Sequence, residues 1–135
     1  MFVLDASIAA SWFLEEGHDN QVSLAWGRLR AESAIVPSIW WYEIRNALLI
    51  AERKKRIAPD DADRAWRQLP RMRIDIDFTP DDRAILKLAR DHSLTVYDAA
   101  YVELAARAGC ALATLDDDMA KAAKAEHIPL IDHAA

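Results

Sequence analysis

Short apolar runs alternate with longer stretches of helical spacing along this chain. Phe2-Val3-Leu4 is an unbroken apolar triplet that predicts a strand, followed by a helix from about Ile8 to Glu15. Between Asp19 and Ala31, Val22, Ala25, Trp26 and Leu29 recur on one face and predict a second helix. Ala34-Ile35-Val36 predicts a second strand, closed by Pro37, with Ser38 capping a helix that runs to about Arg53. Pro59 opens another helix, and Asp60, Asp61 and Asp63 sit in its first turn, where the macrodipole favours negative charge. Ile74, Ile76 and Phe78 alternate with Asp75 and Asp77, which predicts a strand with one wet face. Thr79-Pro80 begins a helix to about His92, and Asp98 begins another that Gly109 ends. Ala111 to Leu115 is the next strand, Asp117 to Ala125 a helix, and Ile128 to Ile131 a last strand.

Strands that alternate with helices imply an α/β fold, a mostly parallel sheet covered by helices on both faces in three α/β/α layers. No repeat, low-complexity segment or linker interrupts the pattern, so residues 1–135 read as a single domain. In such sheets ligands bind beyond the carboxyl ends of the strands, where the strand order reverses.

Composition narrows the class. The longest apolar stretches are broken by charge well short of the ~20 residues that span a bilayer, and Met1 to Leu4 run straight into Asp5 without a signal-peptide pattern. Cys110 is the only cysteine, in an apolar segment, and reads as a small core residue. These features predict a cytoplasmic protein with no membrane segment. The net charge of −5 argues against a nucleic-acid partner until its distribution is considered. Residues 45–73 carry +5 and the remainder −10, so an acidic pocket for cations is compatible with a basic rim for phosphates.

Four acids stand out. Asp5 terminates the first strand and Asp116 the run Ala111-Leu112-Ala113-Thr114-Leu115, so both emerge at one sheet edge if both strands are central. Asp98 opens a helix of small and apolar residues, and Glu43 interrupts the apolar stretch Ile39-Trp40-Trp41-Tyr42-Glu43-Ile44. Each has an ordinary reading: Asp5, Asp98 and Asp116 as helix caps, and Glu43 as a helix residue paired with Arg45 or Asn46. Together they suggest a cluster whose mutual repulsion is about 4 kcal/mol per pair at 4 Å and an effective dielectric of 20. Oxygen-preferring Mg²⁺ or Mn²⁺ relieves that repulsion, and the absence of a Cys/His set argues against zinc.

Val3-Leu4-Asp5-Ala6-Ser7, the segment Val36 to Leu48 around Glu43, Tyr97-Asp98-Ala99-Ala100-Tyr101-Val102-Glu103-Leu104-Ala105 and Leu112-Ala113-Thr114-Leu115-Asp116 resemble, in order and spacing, the successive acidic motifs of VapC-type PIN-domain toxins. The resemblance covers essentially the whole chain. It implies a PIN-like parallel sheet between helices, Mg²⁺- or Mn²⁺-dependent endoribonuclease activity on RNA, a homodimer and a VapB-like antitoxin partner. It also places Asp5, Glu43, Asp98 and Asp116 at the site as metal ligands and catalytic groups.

Around these four, Ser7 touches the site or caps the helix from Ile8, and Thr114 is by default a strand threonine. Asp117 and Asp118 serve a helix N-terminus, with Asp118 also in reach of a second metal. His18, His92, His127 and His133 are scattered, which argues against a paired-histidine nuclease, and no glycine-rich phosphate loop is present. Arg53-Lys54-Lys55-Arg56 either holds RNA phosphates or is a solvated helix end. Trp40 and Trp41 are adjacent, so one of them faces away from the core towards an oligomer or antitoxin contact. Two rivals stand beside the nuclease: a PIN scaffold that only binds RNA or protein, and an aspartyl-phosphate enzyme. The latter is disfavoured because position 7 is serine rather than a second aspartate.

Overall fold

A computed structural model describes residues 1–15 and 19–132; His18 and His133 lie outside that set. The strands are β1 (Phe2–Leu4), β2 (Ala34–Pro37), β3 (Ile74–Asp77) and β4 (Ala111–Ala113). The helices are α1 (Ala6–Leu14), α2 (Asn20–Ala31), α3 (Ile39–Arg53), α4 (Pro59–Gln68), α5 (Asp82–His92), α6 (Val96–Ala108) and α7 (Asp117–Ala125), with a 3-10 turn at Leu69–Arg71. All four strands pair in parallel in the order β3-β2-β1-β4. The helices pack among themselves in two groups, α1 to α4 and α5 to α7, and flank the sheet as the three-layer α/β/α architecture requires.

Burial explains why the elements form where they do. Phe2, Val3 and Leu4 are fully enclosed, as expected of a strand covered on both faces, and each such side chain contributes ~1.5–3 kcal/mol of transfer free energy. On α3 the buried residues Trp40, Ile44, Leu48 and Ala51 follow helical spacing, which turns the adjacent Trp41 outwards. There Trp41 stacks on the Arg45 guanidinium, 3.8 Å from its ring centroid, and meets Trp66 of α4 edge-on. Gly109 closes α6 with φ 64°, a left-handed conformation that suits a residue without Cβ.

Several boundaries differ from the sequence pattern. Alpha-helix α1 begins at Ala6 rather than Ile8, and Ser38 is itself helical in backbone and caps α3 with no side-chain bond. Helix α5 begins after Asp81, whose carboxylate accepts from Ala84 N–H, and not at Thr79-Pro80. Thr95 caps α6, so Asp98 lies inside the first turn rather than opening the helix. The strand expected over Ala111–Leu115 stops at Ala113, and the segment 128–131 adds one bridge, Leu112 to Leu130, in place of a strand. Beta-strand β4 is therefore an edge covered by that bridge, not a central strand. Phe78 falls outside β3 and is 75% exposed, which removes it from the predicted apolar face.

The strand order changes direction beside β1. From β1 the chain steps to β2 and β3 on one side and returns to the other side for β4. The crevice between β1 and β4 is therefore the switch point where this class of sheet binds ligands. Arg53 ends α3, and Lys54 to Arg56 follow it in the turn that leads to α4.

Candidate active site

Asp5 follows β1 at the switch point. Its backbone N–H donates to Ala113 O at 2.9 Å, extending the β1–β4 pairing by one residue and aligning the two strand ends. Asp5 occupies the N-cap position of α1; the Ser7 backbone N–H faces its carboxylate there but makes no full cap hydrogen bond. Instead one oxygen, Oδ2, accepts from Ser7 Oγ and from Thr114 Oγ1, both at 2.7 Å. The two hydroxyls are held in turn: Ser7 Oγ accepts from Leu115 N–H at 3.2 Å and Thr114 Oγ1 from Asp116 N–H at 3.0 Å. Thr114 is thus not a plain strand threonine, and Ser7 lies within α1 with its hydroxyl turned to the site. Burial raises the Asp5 pKa, the Ser7 and Thr114 bonds oppose that rise, and the Asp116 charge adds to it.

The other three acids arrive from different elements. Asp116 spends one oxygen on its helix, where Oδ1 accepts from Met119 N–H at 2.8 Å. Asp98 projects from the first turn of α6; burial raises its pKa first, then repulsion from Asp116 and Asp5, with a smaller contribution from Asp118. Glu43 comes from α3 and is paired with neither Arg45 nor Asn46. Its Oε1 accepts from the Tyr101 hydroxyl at 2.6 Å, while the Arg45 guanidinium donates to Trp41 O. Burial raises the Glu43 pKa, and the charges of Asp5 and Asp98 raise it further against the Tyr101 bond. Among the described residues none of the four acids is ion-paired with a lysine or arginine. All four expected side chains therefore share one electrostatic neighbourhood without a protein counter-charge.

Residues 2–125 match the PIN domain. The chain belongs to the PIN-domain family. Its sequence is 29% identical over 123 residues to Ribonuclease VapC3 of Pyrobaculum aerophilum, covering 88% of this chain and 92% of that protein. Two crystal structures share the PIN fold. PAE2754 from Pyrobaculum aerophilum superposes with a TM-score of 0.71 at 20% identity, covering 90% of this chain and 83% of the other. FitAcB from Neisseria gonorrhoeae gives 0.69 at 18% identity, covering 99% and 100%.

The donor set of this PIN domain suits a hard divalent cation, because it consists of carboxylates that repel one another and lack a protein cation. The match is one of donor type and shared field. Among the described residues no three His, Cys, Asp or Glu side chains stand at ligating distance. Coulomb repulsion keeps uncompensated carboxylates apart, and Tyr101 draws Glu43 to itself.

Two features escaped the sequence pattern. Tyr101 lies three residues after Asp98 on the same helix face, a spacing visible in the sequence, yet a tyrosine among apolar residues reads as core. The second is an ion network at the end of β3. Arg107 donates to both Asp77 oxygens and to Glu103, whose Oε1 also accepts from Asp81 N–H. The spacing of Glu103 and Arg107 on α6 hints at half of this network; Asp77, 30 positions away, has no local signal.

The shifts predict an unusual pH profile for the protein in chelator. Asp5, Glu43 and Asp98 hold protons more tightly when folded than when unfolded, so their contribution to stability falls as pH rises through their raised pKa values. Asp77 is lowered by Arg107, so its contribution is present above the ordinary carboxylate range and is lost as pH falls through its depressed pKa. The melting temperature should rise as pH drops from neutral towards the ordinary carboxylate range, then decline below about 4, the ordinary carboxylate pKa. Circular dichroism melts in excess chelator measure this; a melting temperature that falls steadily from pH 7.5 to 5 contradicts the clustered-acid reading.

Proposed function

We propose that this PIN domain is a Mg²⁺- or Mn²⁺-dependent endoribonuclease and the toxin of a VapBC-type toxin–antitoxin pair, acting in the cytoplasm. The observation that carries the reading is the Asp5 carboxylate, locked by two hydroxyls at the switch point and sharing its field with Glu43, Asp98 and Asp116 without a protein cation. Similarity to Ribonuclease VapC3 supports the same substrate class.

In this reading Asp5, Asp98 and Asp116, with Glu43, hold the cation. When bound, the ion activates water as a nucleophile and neutralises charge on the phosphate and leaving oxygen. The chain's own contribution is positional. Ser7 and Thr114 fix one oxygen of Asp5 and leave the other for binding, and Asp116 divides its oxygens between capping α7 and facing the site. Burial and mutual repulsion disfavour the charged forms of three of these acids, and a cation bound among them would relieve both. No histidine among the described residues joins the acids, and in this reading the carboxylates are committed to the cation, so water rather than the RNA's own 2′-hydroxyl is the nucleophile. Water attack in line leaves a 5′-phosphate and a free 3′-hydroxyl.

The surface supports a protein partner and a homodimer. Tyr42, Phe78, Val96 and Tyr97 are exposed, and an apolar cavity of about 280 Å³ lies between Pro37, Ile39, Tyr42, Ile85, Tyr97 and Leu104. The cavity lining includes Tyr42 and Tyr97, the chain neighbours of Glu43 and Asp98, so a VapB-like segment or a second copy seated there would lie against the helices that carry those acids.

The test is cleavage of a defined RNA with Mg²⁺ or Mn²⁺, in excess chelator, and after mass analysis of the ends. Expected are metal-dependent cleavage, loss in chelator, and 5′-phosphate products. Full cleavage in chelator, or cyclic phosphate ends that vanish in Asp5→Asn, defeats the mechanism. RNA binding without cleavage under any metal favours the scaffold reading. Co-purification with a small DNA-binding protein encoded beside this gene tests the toxin assignment.

A further inference from the structure

Tyr101 is fully enclosed, yet its hydroxyl is not idle. It donates to Glu43 Oε1 at 2.6 Å, and the backbone N–H of Ala6, the residue after Asp5, faces the same phenol oxygen. One turn earlier on the same helix stands Asp98. A single hydroxyl therefore touches the α1 start beside Asp5 and the Glu43 carboxylate, from the helix that carries Asp98. Three elements meet at this atom.

The partner is specific in geometry. Glu43 projects from α3, whose buried face is set by Trp40, Ile44 and Leu48, and a glutamate side chain has three rotatable bonds to place its carboxylate. Without a tether it would swing towards solvent, driven by the charges of Asp5 and Asp98. The Tyr101 bond holds one oxygen inward and leaves Oε2 as the group available to a cation or its water. The Tyr101 ring is rigid with only two torsions, and its enclosure keeps the hydroxyl from straying.

We propose that Tyr101 is the positioning residue of the Glu43 carboxylate, setting its reach towards the cation through the hydroxyl–carboxylate hydrogen bond. The proposal rests on the metal-dependent nuclease reading of the same site. Groups that orient ligands in this way change metal affinity or activity by about 10–100-fold when removed.

Tyr101→Phe removes the oxygen and keeps the ring. Expected are a 10–100-fold lower kcat, an unchanged KM for RNA, and weaker Mn²⁺ binding measured by calorimetry without substrate. A double-mutant cycle with Glu43→Gln isolates the route: once Glu43 is altered, adding Tyr101→Phe should cost little more. Additive losses, or wild-type kcat and Mn²⁺ binding in Tyr101→Phe, overturn the proposal. 3-Fluorotyrosine at position 101 preserves the fold and adds a second readout. Its ¹⁹F resonance should shift during Mg²⁺ titration, and much less in Glu43→Gln; no shift at saturating Mg²⁺ overturns the proposal as well. Asp5→Asn separates the two levels. If Asp5→Asn is inactive while Tyr101→Phe behaves as wild type, only the Tyr101 inference fails; if both retain full cleavage, the nuclease site itself is misplaced.

Discussion

Asp5→Asn is expected to lower kcat/KM for RNA cleavage by roughly 1,000-fold or more, while the folded protein in chelator becomes at least as stable as the wild type. The size follows from losing one charged ligand at a site where the cation contributes several kcal/mol to transition-state stabilisation, ~4 kcal/mol being about three decades in rate. The stability side follows from burial. Asp5 is the most enclosed of the four acids, and its raised pKa means that the charged form is disfavoured where it sits. Asparagine keeps an acceptor oxygen for the hydroxyls of Ser7 and Thr114, so the link between the ends of β1 and β4 survives. Cleavage assays and thermal melts on the same preparation check both halves. An Asp5→Asn protein that is inactive only because it is unfolded would remove the support this variant lends to a catalytic role.

Arg107→Met is expected to be the most destabilising single change outside the hydrophobic core, by about 2–4 kcal/mol, with little direct effect on the acids at the switch point. Arg107 bridges Asp77 at the end of β3 and Glu103 within α6 through four hydrogen bonds. Glu103 is almost completely enclosed, so removing its cation leaves a buried carboxylate with only the Asp81 amide for compensation. Breaking such a pair by deleting one partner costs ~3–5 kcal/mol when both groups are buried, and the partial exposure of Arg107 reduces the figure. Arg107 itself is pushed above its usual pKa by hydrogen bonds to Asp77 and Glu103, so the guanidinium stays charged throughout the neutral range. Urea titration measures the loss. A variant within 0.5 kcal/mol of wild type, about the scatter of surface substitutions, would show that water replaces the guanidinium without penalty. Glu103→Gln in the Arg107→Met background should recover part of the loss, because the stranded charge is then gone.

The order of the helices, the parallel sheet and the places of Asp5 and Asp116 after their strands were legible in the sequence because each rests on short-range physics. Strand β1 is an apolar triplet ending in aspartate; α3 buries one face at helical spacing; Gly109 stops α6 because glycine tolerates positive φ. Asp5 and Asp116 were visible together because strand ends in a parallel sheet share one edge; Glu43 and Asp98 joined them through the resemblance to the PIN-domain motifs. Boundaries were less legible where two capping residues compete. Thr95 and Asp98 both favour a helix start, as do Thr79 and Asp81, and neighbouring packing chose between them.

Only the tertiary structure decided what each acid touches. Asp5 meets Thr114 across 109 positions, Glu43 meets Tyr101 across 58, and Arg107 meets Asp77 across 30. No local pattern encodes those pairings. They follow from which strand lies beside β1 and how α6 lies over the sheet, and the side chain–side chain bonds form only after the buried apolar faces have brought the elements together. The end position of β4 in the sheet has the same origin: it depends on the strand order, which the burial of the whole core selects and no single segment specifies.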